Sequence, residues 1–475
     1  MQPVLLIDVV GLSPRMIGPR TPALAELART GSLAPLGCVL PAVTCSAQAT
    51  MLTGTLPREH GAVGNGWFER DSGEIHLWRQ SNALVRGTKF YERLAEIDPA
   101  ARCAKIFWWW NMGARVALSI TPRPFYPADG RKIVATYSAP AEYGRGLESR
   151  LGPFPFFDFW GPKSGLASSR WLADAAVDTL QRERPALTMV YLPHLDYDHQ
   201  RLGPSHPRSV AAIGEVDGLC GQLISAARSV GAAILVVSEY ALEDVDQPVH
   251  VNRLLRQAGL LSVRNTPAGE MLDTFASRAF AVADHQVAHV YARDERALAA
   301  ARELFLRGEG AAHVERVLDR PAQAAFGIDH PRAGDLVLVA RRGAWFTYYY
   351  WLDDGAAPDF ARTVDIHRKP GYDPCELFVD PKLRWPALRV ARRLAQKKLG
   401  MRYLMDVIPL DASLVRGSHG RLPEDPAEGA VYLCSAPFGP GNPAPRDGVV
   451  PMTSVGERVL ALLAQDGSGA PAGTA

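Results

Sequence analysis

The chain opens on a continuous apolar run, Val4-Leu5-Leu6-Ile7, that stops at Asp8 and passes through Val9-Val10 to Gly11. Two later runs end the same way. Met189-Val190-Tyr191-Leu192-Pro193 leads to Asp196, and Ile234-Leu235-Val236-Val237-Ser238 leads to Glu239. Short unbroken apolar runs rich in β-branched residues predict strands buried on both faces, as in parallel sheets. Between them the period becomes helical, over Ser168 to Leu180 and Val210 to Val230. Thr21-Pro22 reads as a helix start, and Thr44 begins a helix running from Ser46 to Leu52. Further strands are expected at Leu187 to Leu192, Ala232 to Val237 and Ala430 to Cys434. Further helices are expected at Val249 to Leu261, Ala387 to Leu399 and Val455 to Leu463. The alternation predicts an α/β fold, a central mostly parallel sheet flanked by helices.

Two stretches break this rhythm. Residues 66–165, rich in aromatics, Gly and Pro, read as surface loops with short strands, and residues 260–410 as a second insertion. One domain over 1–465 is expected, with a disordered Gly/Ala/Ser/Pro tail at 466–475.

Open α/β sheets place ligand sites at the carboxyl ends of their strands. Asp8, Asp196, Glu239 and Thr44 are therefore expected to meet in one crevice. Clustered buried carboxylates repel unless cations lie between them, so the pattern points to metal. A threonine hydroxyl at a helix N-terminus, bound to such a metal, becomes a competent nucleophile. Cys45 is the alternative nucleophile. Composition adds little. A net charge of +2 gives no electrostatic case for nucleic acid, and six cysteines without a CxxC pair read as reduced thiols. No 18-residue apolar run is found, so no membrane span is expected, and a start without a basic leader suggests a cytoplasmic chain.

Asp8 with Gly11, Thr21-Pro22, Pro41 to Thr44, Thr53-Gly54, Pro57, His60-Gly61 and Gly64-Asn65 together resemble the nucleotide pyrophosphatase/phosphodiesterase (type I phosphodiesterase) family of the alkaline phosphatase superfamily. The resemblance implies an alkaline-phosphatase-like sheet with loop insertions over a cleft holding two divalent metal ions, zinc in the family. It implies hydrolysis of a small-molecule phosphodiester, pyrophosphate or related phosphoryl ester through Thr44. Carried over, Asp8 and Thr44 bind one metal, Asn65 and the amide after Thr44 hold the phosphoryl oxygens, and Asp196 binds the other metal. Late His419, in Gly417-Ser418-His419-Gly420, resembles the last histidine ligand.

The chain also departs from the family pattern. Asp196-Tyr197-Asp198-His199-Gln200-Arg201-Leu202-Gly203-Pro204 puts Gln200 at a histidine position and His199 one place early. Ser238-Glu239-Tyr240-Ala241 replaces the family's Ser-Asp-His-Gly, making Glu239 and Tyr240 the substitute ligands. Oxygen-rich coordination shifts preference from zinc toward manganese, iron or magnesium. His367 or Asp365 is a candidate for the ligand missing at Gln200. Phosphonate or sulfate ester hydrolysis on the same site is one alternative, and a degenerate, non-catalytic metabolite-binding protein another. Trp67-Phe68 adjoin the catalytic segment and are expected to reach substrate. Phe107-Trp108-Trp109-Trp110 and Tyr348-Tyr349-Tyr350-Trp351 read first as packing. The basic helix from Arg389 to Lys398 reads as a solvated face, with an anionic membrane or phosphate as the other possibility.

Overall fold

In the computed structural model, which describes residues 1–128 and 132–465, Val4–Val9 (β1) lies inside a nine-stranded sheet. The expected tail at 466–475 falls outside the described residues. The other strands, in chain order, are Ser32–Gly37 (β2), Cys103–Ile106 (β3), Leu118–Pro122 (β4), Thr136–Ala139 (β5), Leu187–Leu192 (β6), Ala233–Val237 (β7), Ala430–Cys434 (β8) and Val450–Pro451 (β9). Their order across the sheet is β9-β2-β8-β7-β1-β6-β3-β4-β5. β1 pairs in parallel with β6 and β7, and β3 in parallel with β6 and β4, whereas β8 runs antiparallel to both its neighbours. The sheet is mostly parallel and is flanked by helices, as the apolar runs require.

Every residue of β1, β6 and β7 is buried, which explains why these strands read as unbroken apolar runs rather than alternating ones. Residues 66–165 are less irregular than the sequence suggests. β3 and β4 are wholly buried and extend the sheet beyond β6. Their four- and five-residue lengths are too short to show a period. A separate four-stranded antiparallel sheet, from Ala279–Asp284, Val287–Ala292, Leu336–Ala340 and Val314–Leu318, carries the second core. Both aromatic runs are buried in the two cores, with Trp109 alone of their residues also reaching the pocket described below. Pro207–Ser229 is the one helix among the described residues long and apolar enough to cross a membrane by length and composition. It packs on neighbouring helices here, and its buried Asp217 accepts hydrogen bonds from the Ala23 and Leu24 amides at the start of Pro22–Thr30 (3.1 and 2.9 Å).

The topology brings three carboxylates to one edge. In register, Asp8 stands beside Tyr191 on β6 and Val237 on β7, so the segments leaving β6 and β7 emerge next to it. Thr44–Thr53 (α1), buried from Thr44 through Leu52, brings its first residue to the same edge. His60 supports that helix from behind: its Nε2 meets Thr50 Oγ1 at 3.0 Å and its Nδ1 accepts the Ala62 amide at 3.1 Å. Burial lowers its pKa to about 3, so the ring is neutral and structural.

Candidate active site

Asp8 and Glu239 form the floor. Their side chains lie within hydrogen-bond reach of each other, and Glu239 also reaches the Thr44 hydroxyl. Gln48, one turn along α1, lies across both: its amide Nε2 donates to Glu239 Oε1 at 2.5 Å and to Asp8 Oδ2 at 3.3 Å. The orientation of that amide follows from its other end, where Oε1 accepts the Trp109 backbone N–H at 2.6 Å. The turn presenting Trp109 is held by the buried Lys105 amine, which donates to the carbonyls of Trp109 (2.6 Å) and Trp110 (2.8 Å). Burial raises the pKa of both floor carboxyls, and for Asp8 the charge of Glu239 adds to the rise. Asp8 Oδ1 and Glu239 Oε2 have no hydrogen-bond partner.

Beside this floor stands Asp196, in the first turn of His194–Leu202 (α2). Gln200, four residues along and therefore on the same helix face, donates through Nε2 to Asp196 Oδ2 at 2.7 Å. Burial, and then Glu239, lifts the Asp196 pKa to about 8. The Tyr240 hydroxyl stands 3.2 Å from Thr44 Oγ1 and also reaches Asp196. Burial and the neighbouring carboxylates keep that phenol protonated. The Tyr240 ring stacks flat on His419, with centroids 3.5 Å apart at 8°. His419 Nδ1 faces the Ala42 carbonyl at 2.8 Å, and its Nε2 is buried without a partner.

Sequence reasoning missed the tip of the hairpin joining Ala279–Asp284 to Val287–Ala292. Asp284 accepts the Asn65 amide N–H (2.7 Å, Oδ2) and side-chain Nδ2 (3.0 Å, Oδ1), while Asn65 Oδ1 accepts the Cys45 amide at 3.0 Å. Asn65 therefore keeps one side-chain N–H for a ligand, and the amide following Thr44 is engaged by Asn65. His285, at φ 58°, turns its Nδ1 to Asp284 Oδ1 at 2.8 Å and leaves Nε2 buried and unpartnered. Its ring packs on His419 and Tyr372, both at 3.7 Å. The signal was there in Asp284-His285-Gln286 between two apolar strands, but nothing local ties that turn to Thr44.

An open pocket leads to this floor, with Thr44, Asp196, Tyr240 and His285 at its base. Its walls include Trp78, Trp109, Phe159, Trp160 and Ile366. His367 belongs to the wall too, its Nδ1 3.3 Å from the Leu77 carbonyl. Burial, with Lys132, Arg79 and Arg123 nearby, lowers its pKa to about 4. Asp365 is half-buried, its amide bonded to Glu376 Oε1 at 2.8 Å. His199 is not among the residues lining the pocket. It is buried, neither ring nitrogen has a partner, and Nδ1 lies 3.8 Å from where a Cβ on Gly11 would stand. Trp67 is covered by the Arg332 guanidinium at 4.7 Å and packs on Trp110, away from the pocket lining. Cys45 is buried, and burial pushes its thiol pKa up, which leaves it a poor nucleophile.

The sequence profile of the family described as type I phosphodiesterase / nucleotide pyrophosphatase matches residues 4–373, from β1 through the pocket wall. The chain belongs to that family. An uncharacterized pyrophosphatase/phosphodiesterase of Schizosaccharomyces pombe is 25% identical over 205 residues, covering 43% of this chain and 36% of that protein's length. Among solved structures, phosphonoacetate hydrolase of Sinorhizobium meliloti 1021, crystallised with phosphonoformate, superposes with a TM-score of 0.61 at 17% identity. The match covers 97% of this chain and 96% of that one. Murine ectonucleotide pyrophosphatase/phosphodiesterase 5, an inactive form in complex with AMP, superposes at 0.55 with 13% identity, over 98% and 95% of the two chains. These likenesses establish a shared alkaline-phosphatase-like fold.

Membership of this family makes metal a question the residues must answer. Among the described residues, no three His, Cys, Asp or Glu side chains surround one point in a metal-ligating arrangement. Asp8, Glu239 and Thr44 still fit one divalent cation: two buried carboxyls in mutual contact, each with an orphaned oxygen, next to a hydroxyl. Beside it, Asp196 Oδ1 and His419 Nε2 are likewise buried without a partner, one carboxylate and one imidazole toward a second cation, while Gln200 offers Asp196 Oδ2 an amide donor where a further ligand would be needed.

Proposed function

We propose that this chain hydrolyses an organic phosphoester through Thr44. The observation that carries the reading is the buried Thr44 hydroxyl at the first turn of α1, on the pocket floor between Glu239 and Tyr240. Asp8, Glu239 and Thr44 would hold a divalent cation, whose chemistry when bound is to favour the Thr44 alkoxide. An oxygen-only set suits magnesium or manganese better than zinc. Thr44 passes its proton to Glu239 as Oγ1 attacks phosphorus, and the ester bond to the departing alcohol breaks as the bond to Thr44 forms, the alcohol leaving with that proton. Asn65, clamped by Asp284, offers its remaining N–H to a phosphoryl oxygen. His285, fixed by Asp284 with Nε2 as an acceptor, orients the water that frees Thr44, whose proton returns to Thr44 as the phosphothreonine bond breaks.

The pocket favours a carbon-rich alcohol group. Three of its wall groups are spent on the protein: Trp109 Nε1 on the Arg79 carbonyl (2.9 Å), Trp160 Nε1 on Glu376 (2.6 Å), Tyr372 on Gln200 (2.7 Å). What faces the substrate is mostly ring and aliphatic surface, with Arg123 and Lys132 in the lining, which favour an anion. The test is a panel of aryl phosphodiesters, phosphonate monoesters and nucleotide aryl esters, assayed with magnesium, manganese or zinc against Thr44→Ala. Release of the aryl alcohol by wild type alone bears out the proposal. A second reading, a phosphoester-binding protein without turnover, draws on the Gln48 and Gln200 amides, which hydrogen-bond carboxylate oxygens that a metal would otherwise take. Equal behaviour of wild type and Thr44→Ala across the panel, with both binding an aryl phosphonate, would favour it.

A further inference from the structure

We infer that the helix Pro386–Lys398 (α3) docks the protein onto a lipid bilayer with anionic headgroups. A surface helix ordinarily turns its apolar stripe to the core and its charges to water. α3 is reversed. None of its residues is buried, and Leu388, Ala391, Ala395 and Leu399 share one stripe that faces solvent. Leu388 is 67% exposed and Leu399 75%, and the patch is widened by Trp385 and Met401 at 66% and 54%. The opposite side attaches the helix: Val390 packs on the second core, and Arg393 Nε reaches Asp406 at 3.0 Å with Arg389 beside it.

Charge selects the occupant. Between Pro381 and Met405 the sequence has eight basic residues and no acidic one, in a chain whose net charge is +2. Arg389 and Arg393 are engaged by Asp406, whereas Arg384, Arg392, Lys397, Lys398 and Arg402 are exposed and belong to no ion pair among the described residues. A nucleic acid would neutralise these cations but leave the leucines and Trp385 in water. A second copy would cover the leucines but press like charges together. The surface of an anionic bilayer satisfies both: leucine and indole side chains enter the headgroup boundary while arginine and lysine stems reach phosphate.

The test is co-sedimentation of the full chain with phosphatidylcholine vesicles, with and without phosphatidylglycerol, at low and high salt. Wild type should pellet with the anionic vesicles at low salt and at least about tenfold less with neutral ones. The Leu388→Glu/Leu399→Glu protein should stay in the supernatant, with an unchanged melting temperature because both sites are exposed. Arg392→Glu/Lys398→Glu should weaken binding at least about tenfold with the apolar stripe intact. Wild type failing to pellet, or the leucine variant pelleting like wild type, would overturn the inference. So would a solution dimer abolished by the leucine substitutions in a protein that ignores vesicles.

Discussion

Lys369→Met should destabilise the protein in a way its single charge does not suggest. The Lys369 amine is buried between Asp373 (2.7 Å) and Glu376 (2.8 Å), with side-chain exposures of 1%, 2% and 0% for the three residues. Glu376 is also bonded to the Asp365 amide (2.8 Å) and to Trp160 Nε1 (2.6 Å), so this ion cluster ties the loop carrying Ile366, His367 and Tyr372 to the pocket wall. The carboxylates raise the Lys369 pKa against the opposing effect of burial. A raised lysine pKa gives stability that is present below the unfolded-state value and is lost only above it, so the bridge is intact at neutral pH. Removing one partner of a buried ion pair costs about 3–5 kcal/mol, because the remaining charge stays buried. With an unfolding entropy of roughly 2.1 cal/mol/K per residue, a chain this long shifts by about 1 °C per kcal/mol. Thermal melting followed by circular dichroism should therefore fall by about 3–5 °C. Replacing Asp373 and Glu376 by their amides in the same protein should recover part of the loss. A Lys369→Met protein melting with wild type would refute the reasoning.

Asp196, with its pKa lifted to about 8, holds a proton in the fold that it releases near pH 4 when unfolded. Its contribution to stability is thus present below pH 4 and lost as pH rises toward 8; melting curves of wild type and Asp196→Asn should diverge over that window, and parallel curves would contradict it. Asp284→Ala should free Asn65 from its clamp and lower kcat, by up to the roughly 100- to 1000-fold of losing one oriented hydrogen-bond donor; retention of full activity would remove Asn65 from the proposed role. Gln48→Met leaves two carboxyls and the Trp109 amide without a partner and should cost about 2–4 kcal/mol in chemical denaturation, with added magnesium restoring part of it.

The parts of the fold that could be read from residues are those where burial dictates pattern. Val4–Val9, Leu187–Leu192 and Ala233–Val237 are buried on both faces, so their apolar runs and the acids that end them pointed to one edge of one sheet. Thr44 could be read from its spacing after Asp8 and before His60-Gly61 and Gly64-Asn65, not as a cap, since Val43 occupies the N-cap position. Gln48 could not, since an amide inside a helix resembles any polar residue, and its importance comes from Trp109, brought near by a turn gathered around buried Lys105. Asp284 and His285 were hidden for a similar reason: their hairpin belongs to another sheet and meets Asn65 through contacts 219 positions apart. Trp67 shows the converse, since adjacency in sequence to Asn65 suggested substrate while an Arg332 guanidinium covers its ring.

The most direct test of the proposal is to stop a turnover of bis(p-nitrophenyl) phosphate with acid and map the modified peptide by mass spectrometry. The account predicts an organophosphoryl or phosphoryl ester on Thr44, absent from Thr44→Ala. Release of p-nitrophenol with no adduct on Thr44, or with the adduct on Cys45, would contradict it.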